Sequence, residues 1–141
     1  MLIRRWTMPI TTARDPGEQF AVVTLTDPHT IDEWRDVMLV LWASPGFRET
    51  RAVLIDRRLS APPTSAFVDA MTDFFALHRE KLAGTRSAIV VGNDAGFGMG
   101  RMTELKASRE NPSAAIRPFR LYDEAVVWLT TGPGSRQRNG E

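Results

Sequence analysis

The 141-residue chain contains no cysteine. Disulfides, thiolate nucleophiles and Cys-ligated zinc or iron–sulfur centres are thereby excluded. Histidine is almost as scarce: His29 and His78 stand far apart and form no metal-spaced pair, so no metal and no other cofactor is expected. An excess of either charge sign is also missing. Eighteen Lys and Arg face seventeen Asp and Glu, a net charge of +1, which argues against a general polyanion binder and a nucleic-acid partner. The longest unbroken apolar stretch, Val37 to Ala43, falls far short of the roughly 20 residues of a membrane span. Arg4-Arg5 is followed by Pro9-Ile10-Thr11-Thr12-Ala13-Arg14-Asp15 instead of an apolar segment, so no export signal is expected and a cytoplasmic location is. Neither a Gly-x-Ser-x-Gly elbow nor a Gly-Lys-Ser/Thr phosphate loop occurs.

What is present is an ordinary globular balance, 43% hydrophobic and 25% charged. One domain over residues 1–130 is expected, followed by a Gly-, Arg- and polar-rich flexible tail over 131–141.

Alternating elements follow from the pattern. Leu2 to Met8 reads as a short strand, with a polar turn at Arg14-Asp15-Pro16-Gly17. Phe20 to Leu25 reads as a second strand. Thr30-Ile31-Asp32-Glu33 has the form of a capping box, opening a helix with Ile31, Trp34, Val37, Met38, Leu41 and Trp42 on one face, ended by Pro45-Gly46. The continuous apolar runs Ala52–Ile55 and Ala88–Val91 predict central parallel strands buried on both faces. Asp56 should then close a central strand on which Val53 and Ile55 face away from Leu54. Between these runs, Phe67, Ala70, Met71, Phe74, Phe75, His78 and Leu82 form a helical stripe closed by Gly84. A glycine-rich turn, Gly92 to Gly98, leads into a helix with Met99, Met102 and Leu105 inward, broken at Asn111-Pro112. Ile116 to Leu121 is the last strand, placed near an edge because Pro118 cannot donate a ladder bond. Asp123-Glu124 start a terminal helix with Ala125, Trp128 and Leu129 inward. The order is β-β-α-β-α-β-α-β-α, an α/β fold with a mixed, mostly parallel sheet and about four helices.

AVLIDRR (52–58), AIVVG (88–92), FGMGRM (97–102) and IRPFRLYDEAVVWL (116–129) together resemble the STAS/SpoIIAA-like family. The resemblance covers roughly Phe20 to Leu129 and implies a STAS-like fold, a small mixed sheet packed with helices. The family includes anti-anti-sigma factors, which bind a kinase partner and are switched by phosphorylation of a serine at a helix start, within an Asp-Ser-Ser/Thr-Gly signature. The matching region here is Leu59-Ser60-Ala61-Pro62-Pro63-Thr64-Ser65-Ala66. Thr64 and Ser65 stand near the helix start, but the signature is absent.

Ligands of open parallel sheets sit beyond the carboxyl ends of the strands. Those ends carry Asp27 and His29, then Asp56, Arg57 and Arg58, then Asn93 and Asp94. Arg101 is read in the first turn of the following helix, where a cation opposes the helix dipole unless Glu104 or a bound anion compensates it. With the N–H groups around Gly98, these residues outline a pocket for a small anionic or nucleotide-like ligand. The plain alternative is turn-forming glycines and solvated charges, since the spacing matches neither dinucleotide nor phosphate-loop fingerprints. His78 reads as a partly buried structural histidine and His29 as a turn residue.

Two functional classes follow. One is a non-enzymatic STAS-like module recognising a partner protein or a small anionic ligand through Asp56, Arg57, Arg58, Asn93, Gly98 and Arg101. The other is a small enzyme using Asp27, His29 and Asp56, which needs a closed cleft with His29 within hydrogen-bond reach of an acid. Leu39 and Val40 lie off the inward stripe of the first helix. They predict a homodimer contact or a lipid-like groove, with wider core burial as the alternative.

Overall fold

The computed structural model describes residues 9–14, 17 and 19–131. The strand expected over Leu2–Met8 lies outside them, as does the tail beyond Thr131. Strands β1 (Ile10–Arg14), β2 (Ala21–Leu25), β3 (Ala52–Asp56), β4 (Arg86–Val90) and β5 (Ala115–Phe119) form one sheet in the order β1-β2-β3-β4-β5. The β1–β2 pair is antiparallel and the other three pairs are parallel. Helices α1 (Ile31–Ala43), α2 (Pro45–Thr50), α3 (Ser65–Leu77), α4 (Arg79–Leu82), α5 (Asp94–Glu110) and α6 (Tyr122–Thr130) complete the described fold.

Each parallel crossover advances one strand in the same direction, and successive right-handed crossovers of that kind stack on one face. Val23, Val53, Ile55 and Ile89 point to that face and meet Trp34, Met38, Trp42, Val68, Met71, Phe74 and Phe75. Leu54, Ala88, Val90 and Phe119 point to the other, where α6 supplies Ala125 and Leu129. The alternation of Leu54 against Val53 and Ile55, and the central place of β3, are as the apolar run predicts. Pro118 falls on an edge strand, also as expected.

Local signals act where they were read. Glu33 N–H donates to Thr30 Oγ1 at 3.1 Å, and Thr30 N–H donates to Glu33 Oε1 at 2.8 Å, so the capping box is complete. Pro45 does end α1, but Ser44 caps a further helix on which Pro45 is the first residue, because proline suits that position. Gly84 takes φ +78, which glycine reaches without strain.

The segment around α5 corrects the sequence reading. Gly92–Gly98 is not a turn before the helix, because Asn93 caps α5 and the helix already runs from Asp94. Its buried side is Gly96, Gly100, Thr103 and Ala107. Leu105, expected inward, is exposed, while Met99 and Met102 are partly buried. Small residues decide the helix orientation because α5 packs nearly backbone to strand: a Cβ on Gly100 would stand 2.6 Å from Pro118 Cβ.

Candidate functional site

The carboxyl ends of β2, β3 and β4 lie side by side, with Thr24, Asp56 and Val90 in register. Successive side chains of an extended strand point to opposite faces. That alternation divides the charged run that closes β3.

Asp56 and Arg58 turn toward α6. Arg58 grips the carboxylate with both ends of its guanidinium, Nε donating to Oδ1 at 2.9 Å and Nη2 to Oδ2 at 2.8 Å. Its backbone N–H adds a third bond to Oδ1 at 3.0 Å, and the guanidinium lies 4.8 Å from the Tyr122 ring centre. Burial raises the Asp56 pKa, but the Arg58 hydrogen bonds outweigh it and hold the carboxyl below its ordinary value. The same bonds raise Arg58. The two charges satisfy each other.

Arg57 turns to the opposite face and is only 7% exposed. Its Nη2 donates to Ala61 O at 3.3 Å, and the guanidinium lies 5.8 Å from the Phe67 ring centre. No carboxylate among the described residues forms an ion pair with it. Burial pushes its pKa down, and the charge of Asp27 only partly offsets this. Asp27 is itself engaged, Oδ2 accepting the Ala61 N–H at 2.6 Å. Ala61 thus links the two through opposite sides of one residue. Beside Arg57 lies a shallow recess of about 10 Å³, room for roughly one water molecule, bounded by Ser60–Pro63, Val91–Asn93 and Gly96.

His29 is enclosed, its side chain 4% exposed, with its ring edge-on to Phe67 at 5.6 Å. Its Nδ1 lies 2.9 Å from Thr26 O, and a carbonyl only accepts, so Nδ1 carries the proton. Asp27 Oδ1 stands farther off, at 3.5 Å. His78 packs against Phe74 at 4.6 Å and Trp42 at 5.8 Å, and burial followed by the charge of Lys81 lowers its pKa.

The remaining expected site residues separate. Asn93 stays at the recess, its Oδ1 accepting the Gly96 N–H at 2.8 Å. Asp94 pairs with Arg120 at 3.0 Å. Gly98 is inside α5, so its N–H belongs to the helix ladder instead of facing a ligand. Arg101 is two turns into α5, not in the first turn, and Glu104 Oε1 faces it at 3.3 Å. Thr64 caps α3 through the Phe67 N–H at 3.1 Å, with Ser65 as the first helical residue. Ala61 and Phe67 hold Arg57, and neither carries a charge or motif that marks it as a site residue in the sequence. Strand alternation through Asp56-Arg57-Arg58 is the signal that separates the buried arginine from its paired neighbour.

Compared with known family models, curated proteins and solved structures, the chain finds no match in any of the three.

Proposed function

We propose that the protein is a non-enzymatic, STAS-like binding module whose ligand is a small oxyanion held by Arg57. The observation that carries this is a buried guanidinium with one long hydrogen bond and no ion-pair partner among the described residues. A cation withdrawn from water is costly unless an anion or further acceptors compensate it. A carboxylate, phosphate or sulfate group at the mouth of the recess beside Asn93, with one oxygen entering it, supplies that compensation. Acid–base chemistry is the weaker reading. His29 is enclosed and spends its Nδ1 proton on Thr26, and Asp56 spends both oxygens on Arg58.

Thermal denaturation at low ionic strength tests the proposal, with inorganic phosphate or sulfate compared against chloride. Native-state binding raises the melting temperature with anion concentration. The wild type and Arg101→Ala are expected to show the rise, and Arg57→Met to lose it, each measured against its own chloride baseline. A wild type indifferent to phosphate and sulfate overturns the proposal, as does an undiminished rise in Arg57→Met.

A further inference from the structure

The charges and walls around Arg57 select among oxyanions. Arg57 is a single cation, and the Asp56–Arg58 pair on the other face of the sheet adds no net charge. Asp27 stands on the far side of Ala61. Its Oδ2 accepts the Ala61 N–H at 2.6 Å, while Ala61 O accepts from Arg57 Nη2 at 3.3 Å. No Lys or Arg among the described residues pairs with Asp27. Burial lowers the Arg57 pKa and the charge of Asp27 partly restores it, so the carboxylate acts on the guanidinium across that one residue. The recess therefore holds the field of one cation already partly offset. Attraction to such a field grows in proportion to the charge of a ligand, whereas the cost of leaving water grows with its square. A monoanion is favoured over a dianion.

The walls of the recess differ in kind. Asn93 spends its Oδ1 on the Gly96 N–H, which leaves the amide NH2 as a donor. Residues 61–63 offer none, because the Ala61 N–H is given to Asp27 and Pro62 and Pro63 have no N–H. A sulfate or phosphate is polar all round and turns oxygens toward that wall without partners. A carboxylate is polar at one end only, and a recess with room for roughly one water admits one of its oxygens. Resting on the anion reading above, we propose that the ligand is a monoanionic carboxylate with a small apolar substituent. One oxygen enters beside Arg57 and Asn93, the substituent lies over residues 61–63, and Asp27 disfavours dianions.

Thermal denaturation of the full chain at constant ionic strength tests this with propanoate, formate and sulfate. Each rise in melting temperature is taken as the excess over Arg57→Met, which removes the action of salt on the protein at large. The wild type is expected to bind propanoate roughly tenfold more tightly than sulfate, with formate between them. Asp27→Asn removes the charge and keeps an oxygen for the Ala61 N–H. It should tighten propanoate about threefold and sulfate about tenfold, because the relieved repulsion scales with ligand charge. Sulfate or formate binding the wild type as tightly as propanoate overturns the proposal, and this comparison needs no Asp27 variant. Equal tightening of propanoate and sulfate by Asp27→Asn overturns it too. In each of these cases an excess over Arg57→Met persists and the anion site stands. A wild type with no excess for any of the three anions overturns both readings.

Discussion

At the β5 edge a Cβ on Gly100 would stand 2.6 Å from Pro118 Cβ, whereas at the β1 edge the atoms nearest a Cβ on Gly46 are those of the Arg14 guanidinium. The first contact is against a ring fixed to the strand, and the second against the end of a long side chain. Hydrogen bonding differs in the same sense. Ala115 N–H donates to Thr85 O, so residues 115, 117 and 119 face β4 and residue 118 faces outward. Proline removes a donor where a foreign strand would need one. Arg117 spreads over Phe119 at 5.3 Å, and Arg120 lies over Phe97 at 4.1 Å while pairing with Asp94. The β5 side is closed by packing and by a missing donor, and the β1 side keeps its outward donors and a groove beside α1 among the described residues.

Substitution of Gly100 and of Gly46 breaks or sharpens this contrast. Gly100→Val should cost about 3 kcal/mol by chemical denaturation, because neither α5 nor Pro118 can yield without moving backbone. A loss below ~1 kcal/mol would show that the β5 side is as yielding as the other. An intermediate effect is expected at the centre of the sheet, where Asp56→Asn should cost about 1–3 kcal/mol at neutral pH by weakening the bidentate pair with Arg58. Its pH dependence has a definite sign. The folded-state pKa of Asp56 is depressed, so the wild type keeps this stability above the ordinary value of 3.8 and loses it as pH falls below that. The Asn variant should show a flatter decline over the same acid range. Gly46→Ala should have the smallest effect, between neutrality and a gain of ~1 kcal/mol, since the helix prefers alanine and Arg14 can swing aside. A loss greater than ~1 kcal/mol would mean that Arg14 is held as firmly as Pro118, and the two edges would no longer differ.

Much of the fold was legible because its signals are local. The capping box at Thr30 and Glu33 needs only neighbouring residues, and the runs Ala52–Ile55 and Ala88–Val91 announce burial on both faces. Periodicity erred at α5, where the large residues Met99, Met102 and Leu105 outweighed the small ones that make the contact. Apolarity measures the gain from leaving water and says nothing of how closely two backbones approach. The candidate site was legible as a list of strand-end residues but not as a grouping. Asp56, Arg57 and Arg58 are consecutive, yet only Arg57 lines the recess, and Gly98 and Arg101 sit within the helix once Asn93 is recognised as its cap.

The sequence by itself determined the exclusion of thiol chemistry, the α/β alternation, the central place of β3 and the edge position of Pro118, because these depend on residue type and on period. Tertiary structure alone decided that Arg58 neutralises Asp56 while Arg57 stays buried without an ion pair among the described residues, and that one edge closes while the other keeps its groove. Those outcomes depend on distances of a few tenths of an ångström between elements far apart in the chain, set only when the whole core packs.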